Sequence, residues 1–356
     1  MLPYIMILIL FAVLALLSKE EDSYTEIGVR VEEKSLPLLV SCFLLYLLTI
    51  LKSPITGDYS RYADNFLNSV RYTFTFYLER KKEAGFYMFT KLLSEIQLST
   101  FFYFAVTSAI LYFCLFFFIK RYAYNKIYAV YFYYTIGLFA FSLAGLRQSL
   151  AMSLCLLAYG AIKKRKPAVF LLIIAVAFLF HKSAVFFLLA YFIGRIPWKP
   201  KYHIGLLIGY GLLGIFFNRF YSLVASWMEY DYGIESTGNG SIFLIILLII
   251  GFLGVIYRKE LMAADKDSLL FLNMHFIVIL LWIFRLFTRT AERPALYYLY
   301  GSIILLDRIL SLRSKDNEKE VTRKVILLCS VVLFGVFFLY RTLRDGNLIP
   351  YVSIFH

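Results

Sequence analysis

Arg147 stands in Gly145-Leu146-Arg147-Gln148, between two long apolar runs. A guanidinium at a hydrocarbon boundary needs an anion or water to offset its desolvation. It is therefore either a binding group, with Gln148 beside it as a second polar contact, or a side chain snorkelling to lipid headgroups. Arg285, Arg289, Glu292 and Arg293 form a second constellation. Spacings of four, seven and eight put them on one helical face if the helix persists to Pro294. Guanidiniums on one face would hold a diphosphate by bidentate, charge-assisted hydrogen bonds. Glu292 would neutralise one of them or handle a proton, and the bland alternative is an ordinary charged helix end. His181 follows the apolar run 167–180 and precedes Lys182 and Ser183. It is a general-base candidate whose pKa a cationic neighbour would depress, or else a hydrogen-bonded interfacial histidine. Asp58, in Gly57-Asp58-Tyr59-Ser60-Arg61-Tyr62, suits sugar recognition, with rings such as Tyr59 stacking on a pyranose, and equally suits a helix cap.

The elements that must position these groups are apolar helices. The chain has 356 residues, 61% hydrophobic and 17% charged, with a mean hydropathy of +0.73, more apolar surface than a soluble core needs. Runs such as Ile242 to Ile256 and Val325 to Leu339 carry no charge and approach the length that crosses a slab of about 30 Å. The pattern predicts an all-α, polytopic membrane protein forming a single transmembrane domain over 1–356. Twelve spans are expected: 2–17, 36–51, 101–119, 127–144, 148–162, 167–180, 183–194, 203–217, 241–257, 269–284, 294–307 and 325–340. The pair 167–180 and 183–194 is short enough to be re-entrant instead. The segment 2–17 lacks a basic start and a cleavage site, and is expected to be retained as a helix. The 52–100 segment, with its amphipathic stretch Phe86 to Ile96, reads as an interfacial segment or a cap over the helices. Residues 218–240 read as an external loop.

Charge placement gives sidedness. Twenty-two of the 37 Lys and Arg fall in the loops 18–35, 120–126, 163–166, 195–202, 258–268 and 307–324, which are therefore assigned to the cytoplasm. Both termini are then external, as are Asp58, Arg147, His181 and the Arg285 to Arg293 cluster. The net charge of +14 is dispersed between apolar runs, which argues for topology and lipid contact and against nucleic acid. Cys42, Cys114, Cys155 and Cys329 show no metal or disulfide spacing, and no metal or cofactor is expected. Asp265-Lys266-Asp267 has the form of a cation-holding DxD, but it lies on the cytoplasmic side, where it reads as a solvated loop.

The motifs together resemble a known family. Gly145 to Ala151, the basic turn 163–166 and Ala177-Phe178-Leu179-Phe180-His181-Lys182-Ser183-Ala184 are similar to the central signature of the EpsG family, the Wzy-type polysaccharide polymerases. Gly57 to Tyr62, the Arg289 to Tyr298 segment with Tyr297, and Ile349-Pro350-Tyr351 resemble its other motifs. The resemblance implies a GT-C-like glycosyltransferase on the external face of a bacterial inner membrane. It would polymerise undecaprenyl-diphosphate-linked oligosaccharides, as for O-antigen or exopolysaccharide, without a nucleotide sugar or a metal, and a chain-length regulator is implied as a partner. Arg147, Arg289 and Arg293 would hold the diphosphate, with Gln148, Arg285, Tyr59 and Tyr297 as further substrate contacts. His181 or Asp58, with Glu292 as a third choice, would deprotonate the acceptor. A lipid-linked oligosaccharide flippase, or a ligase, is the competing expectation.

Overall fold

The structure, a computed structural model, describes residues 1–18, 35–55, 57–80, 83–216, 219, 221–223, 226, 240–312, 317–344 and 348–355. Most of the 218–240 loop and of the 18–35 loop therefore lies outside the described residues. The elements are α1 (Leu2–Leu17), α2 (Leu36–Ile50), α3 (Gly57–Asn68), α4 (Phe74–Arg80), α5 (Ala84–Ile96), α6 (Thr100–Tyr122), α7 (Lys126–Thr135), α8 (Leu138–Ala144), α9 (Leu146–Lys163) and α10 (Pro167–Phe180). There follow a 3-10 turn (Lys182–Leu189), α11 (Ala190–Ile193), α12 (Pro200–Ile215), α13 (Ser241–Ile256), α14 (Arg258–Ala264), α15 (Ser268–Arg285), α16 (Glu292–Leu310) and α17 (Asn317–Thr342). The described residues are thus all-helical, apart from an isolated bridge between Lys52 and Ser353.

Local signals explain the boundaries. Proline occupies the first turn of α1, α2, α10 and α12, where its missing N–H costs nothing. The Asn125 side chain caps α7 by accepting the N–H groups of Ile127 and Tyr128 at 3.1 and 3.2 Å, satisfying two orphan donors. Gly137, at φ 111°, breaks the expected 127–144 span into α7 and α8, bent by 51°; a side chain there would be strained.

Among the described residues, α6, α15 and α17 are long and apolar enough to cross a membrane, and bent pairs raise the number to five. α1, α2, α10 and the 182–193 stretch are apolar but shorter. The expected 183–194 span is instead the 3-10 turn followed by one turn of α11. Apolar side chains such as Leu171, Leu172 and Leu179 of α10 and Val325, Val332 and Val336 of α17 face outward, as a lipid-facing surface requires.

Two cores hold the chain. The larger gathers α1, α2, α6 to α10 and α13 to α17. The smaller joins Tyr59, Ala63 and Phe66 of α3 and Phe86 and Leu93 of α5 to Tyr103 and Phe104 of α6 and to Leu146 and Leu150 of α9. This second core seats the 57–96 helices on the start of α9. Gly85 permits a close approach of α5 to α10: a Cβ there would lie 2.6 Å from the Leu179 Cβ, which would force the two helices apart. The C-terminal stretch docks beside the end of α2, where Ser53 N–H donates to the Val352 carbonyl at 2.7 Å and Ile354 N–H to Leu51 at 3.0 Å.

Candidate functional site

α9 and α16 both begin at the same end of the molecule, and each carries an arginine at its second position, Arg147 and Arg293. A helix N-terminus is the positive end of its dipole, so an arginine there adds charge to charge. Gln148 ties the two starts together: its Nε2 donates to the Arg293 carbonyl at 2.7 Å, and Arg293 Nη1 donates to its Oε1 at 3.0 Å. The sequence placed Arg147, Gln148 and Arg293 separately, 146 positions apart at the extremes; the fold makes them neighbours.

The counter-charge comes from a residue that sequence reasoning missed. Glu83 precedes α5 at its N-cap position without capping it, and its side chain turns to the bundle instead. Arg147 Nη1 donates to Glu83 Oε2 at 2.5 Å, and the Lys182 backbone N–H donates to Oε1 at 3.1 Å. His181 Nε2 lies 3.8 Å from the same Oε1. Glu83 is 5% exposed and His181 2%, whereas the Arg147 side chain keeps 26%. Arg147 also reaches the Tyr87 hydroxyl at 3.5 Å. The available signal was an acid two positions before Gly85, at the start of the amphipathic stretch of α5, masked in the sequence by the run Arg80-Lys81-Lys82.

His181 ends α10 in extended backbone and caps the 3-10 turn that follows. Its Nδ1 lies 2.6 Å from Ser183 Oγ, which is 3.0 Å from the Tyr297 hydroxyl. Burial pushes the imidazole pKa well below its ordinary value, and Arg293, Arg147 and Lys182 push it the same way. The ring is neutral at pH 7, as a proton acceptor must be.

Other expected residues fall elsewhere. The single helical face for Arg285, Arg289, Glu292 and Arg293 does not form, because α15 ends at Arg285 and a turn precedes α16. Thr288 caps the intervening 3-10 turn, so helical spacing has no meaning across it. Arg285 is buried and donates from Nε to Glu292 Oε2 at 3.3 Å. Arg289 is exposed. Asp58 lies in the first turn of α3 and pairs with Arg61. Tyr59 is core: its ring stacks on Phe104 at 3.9 Å, and Lys52 lies over it at 5.3 Å. Tyr297 is buried beside Ser183. Asp265 and Asp267 pair with Arg308 and Lys163 at the opposite end. No group of His, Cys, Asp and Glu arranged to hold a metal occurs among the described residues.

The arrangement can hold a polyanion between two helix starts and two arginines, beside a neutral imidazole backed by a carboxylate. No curated protein and no solved structure matches the chain. A family model does match, over residues 35–353, and on that match the chain belongs to the EpsG family of polysaccharide polymerase-like membrane proteins.

Proposed function

We propose that the protein is a membrane glycosyltransferase that joins undecaprenyl-diphosphate-linked oligosaccharide repeats into a surface polysaccharide, on the external face of a bacterial inner membrane. The observation that supports this most is the pairing of Arg147 and Arg293 at adjoining helix starts through Gln148. Diphosphate is a good leaving group, so the enzyme's main task is to hold it and stabilise the charge that develops on it. Two guanidiniums aided by two helix dipoles are suited to that task. The 57–96 helices, resting on α9 through the smaller core, act as a cap that shields the sugars, with Asp58 at their start as a glycan contact. Arg289 is exposed on the turn before α16 and is assigned as an outer diphosphate contact, and the Arg285–Glu292 pair braces the turn between α15 and α16. The lipid tails lie along the outward apolar faces. A chain-length regulator is the partner this reading calls for.

Purified protein in liposomes, supplied with a polyprenyl-diphosphate-linked repeat, tests the reading. Ladders of increasing length are expected. Unchanged single repeats that appear on the other side of the membrane would make the protein a transporter, and transfer of a single glycan to another acceptor would make it a ligase.

A further inference from the structure

The hydrogen bonds around His181 fix its tautomer. The Ser183 backbone N–H donates to Nδ1 at 3.3 Å, and an amide N–H does not accept, so in the neutral ring the proton sits on Nε2. Ser183 Oγ, 2.6 Å from the same Nδ1, directs its hydroxyl proton there and keeps its lone pairs for the Tyr297 hydroxyl or another donor. On the opposite side Nε2–H faces Glu83 Oε1 at 3.8 Å. That is a charge-pairing distance, longer than a hydrogen bond, and such contacts commonly tighten once substrate is bound. Glu83, His181, Ser183 and Tyr297 are all more than nine-tenths buried. A hydroxyl, an imidazole and a carboxylate in series form the arrangement by which a ring draws a proton from a hydroxyl while the acid orients it and balances the imidazolium.

We propose that Ser183, His181 and Glu83 form a proton-accepting triad for the glycosyl transfer, with Ser183 as the relay from the acceptor hydroxyl and Glu83 as a positioning residue. This rests on the function proposed above. The acceptor oxygen bonds to the anomeric carbon as the carbon–oxygen bond to diphosphate breaks, and the bonding pair leaves on the diphosphate. The acceptor proton passes to Ser183 Oγ while the Ser183 proton passes to Nδ1, and the resulting imidazolium pairs with Glu83. The groups facing the ring are Glu83 ahead of α5, Arg147 from α9, Arg293 and Tyr297 from α16, and Lys182 beside it. The three cations oppose protonation until an anion neutralises them. A diphosphate on Arg147 and Arg293 does that, and it frees Glu83 from Arg147 to face the ring. The donor therefore arms the base.

Two measurements on the full-length purified chain test this. In the liposome assay, Glu83→Gln and Ser183→Ala each lower kcat about 100-fold with KM held within about 3-fold, whereas Ser183→Thr, which keeps the hydroxyl, retains activity. In 15N spectra of histidine-labelled protein, with His181→Asn identifying its signal among the four histidines, the ring shows the Nε2–H tautomer. Adding polyprenyl diphosphate then raises the pH at which the ring takes up its proton, with the ring still neutral at pH 7. Wild-type kcat in Ser183→Ala, a loss confined to KM, or an Nδ1–H ring overturns the triad. Should Glu83→Gln fail to fold, the Ser183 pair and the wild-type spectra decide alone. If the wild-type chain makes no polymer yet its ring responds to diphosphate as described, the triad stands and the polymerase reading falls.

Discussion

α9 and α16 each run between two polar networks, and the two ends are built differently from the same residue types. At the far end Asp307 and Arg308 are buried. Asp307 accepts the N–H groups of Tyr124 and Asn125 at 2.6 and 2.9 Å. Arg308 donates to the Tyr122 carbonyl and to Ser268 Oγ and pairs with Asp265 at 3.1 Å. Its guanidinium lies 4.7 Å from the ring centres of Tyr124 and Phe271. Lys163 pairs with Asp267. In that network Asp307, Asp265 and Asp267 are held by backbone amides, Arg308 and Lys163, all the protein's own groups, which is what a structural lock requires. At the near end Arg147, Lys182, Arg285, Arg289 and Arg293 stand against Glu83 and Glu292, and the surplus positive charge gathers at two helix starts. With 18 residues, α9 separates the two ends by about 27 Å. A closed network holds helices together, and one left with excess cation is suited to receive an anion.

The sharpest way to break the comparison is to open the lock. Asp307→Ala strands the Tyr124 and Asn125 amides that the carboxylate holds, and is expected to cost about 1–3 kcal/mol of stability for each, seen as loss of folded protein in thermal denaturation. Arg147→Ala removes the partner of Glu83 as well as an anion contact, and its signature is loss of polymer equivalent to about 2.7–4 kcal/mol of transition-state stabilisation, with single-repeat intermediates persisting. Gly85→Val, which drives a branched side chain into Leu179, should cost about 1–3 kcal/mol and lower activity by lifting Glu83 away from Arg147; Gly85→Val with full activity would detach Glu83 from the site. Acid distinguishes the ends as well. The native His181 ring holds its proton less tightly than in the unfolded chain, so stability is level above about pH 6.5 and falls as pH drops below it. His181→Asn should reduce that slope in a pH series of Tm. The smallest effect is expected from Glu292→Gln, about 0.5–1.5 kcal/mol, read as a modest rise in KM.

Much of this was legible in the sequence, for physical reasons. Apolar runs reveal helices because lipid and core demand the same residue types, and Arg147 and His181 stood out as polar groups beside such runs. The twelve-span pattern was less legible, because Lys182 to Leu189 is as apolar as a span yet winds as a 3-10 turn, and Gly137 breaks a run that hydropathy treats as continuous. The Arg285 to Arg293 face was misread because a turn after Arg285 removes the helical period on which spacing arguments depend. Glu83 was hidden because its partners lie 64 and 98 or more positions away, and a single acid after three basic residues looks like solvated surface. The DxD-like Asp265 and Asp267 carried the opposite lesson: the motif form is real, and the structure engages both acids in the lock.

The most direct test measures binding of polyprenyl diphosphate to the reconstituted wild-type chain, to Arg147→Gln and Arg293→Gln at one end, and to Lys163→Gln at the other. The expected result is a loss of affinity of about 10-fold or more for each of the first two, the scale of a charge-assisted hydrogen bond, with Lys163→Gln unchanged. Equal affinities across all four chains, or a loss at Lys163 matching that at Arg147, would contradict the assignment of one end as a lock and the other as an anion site.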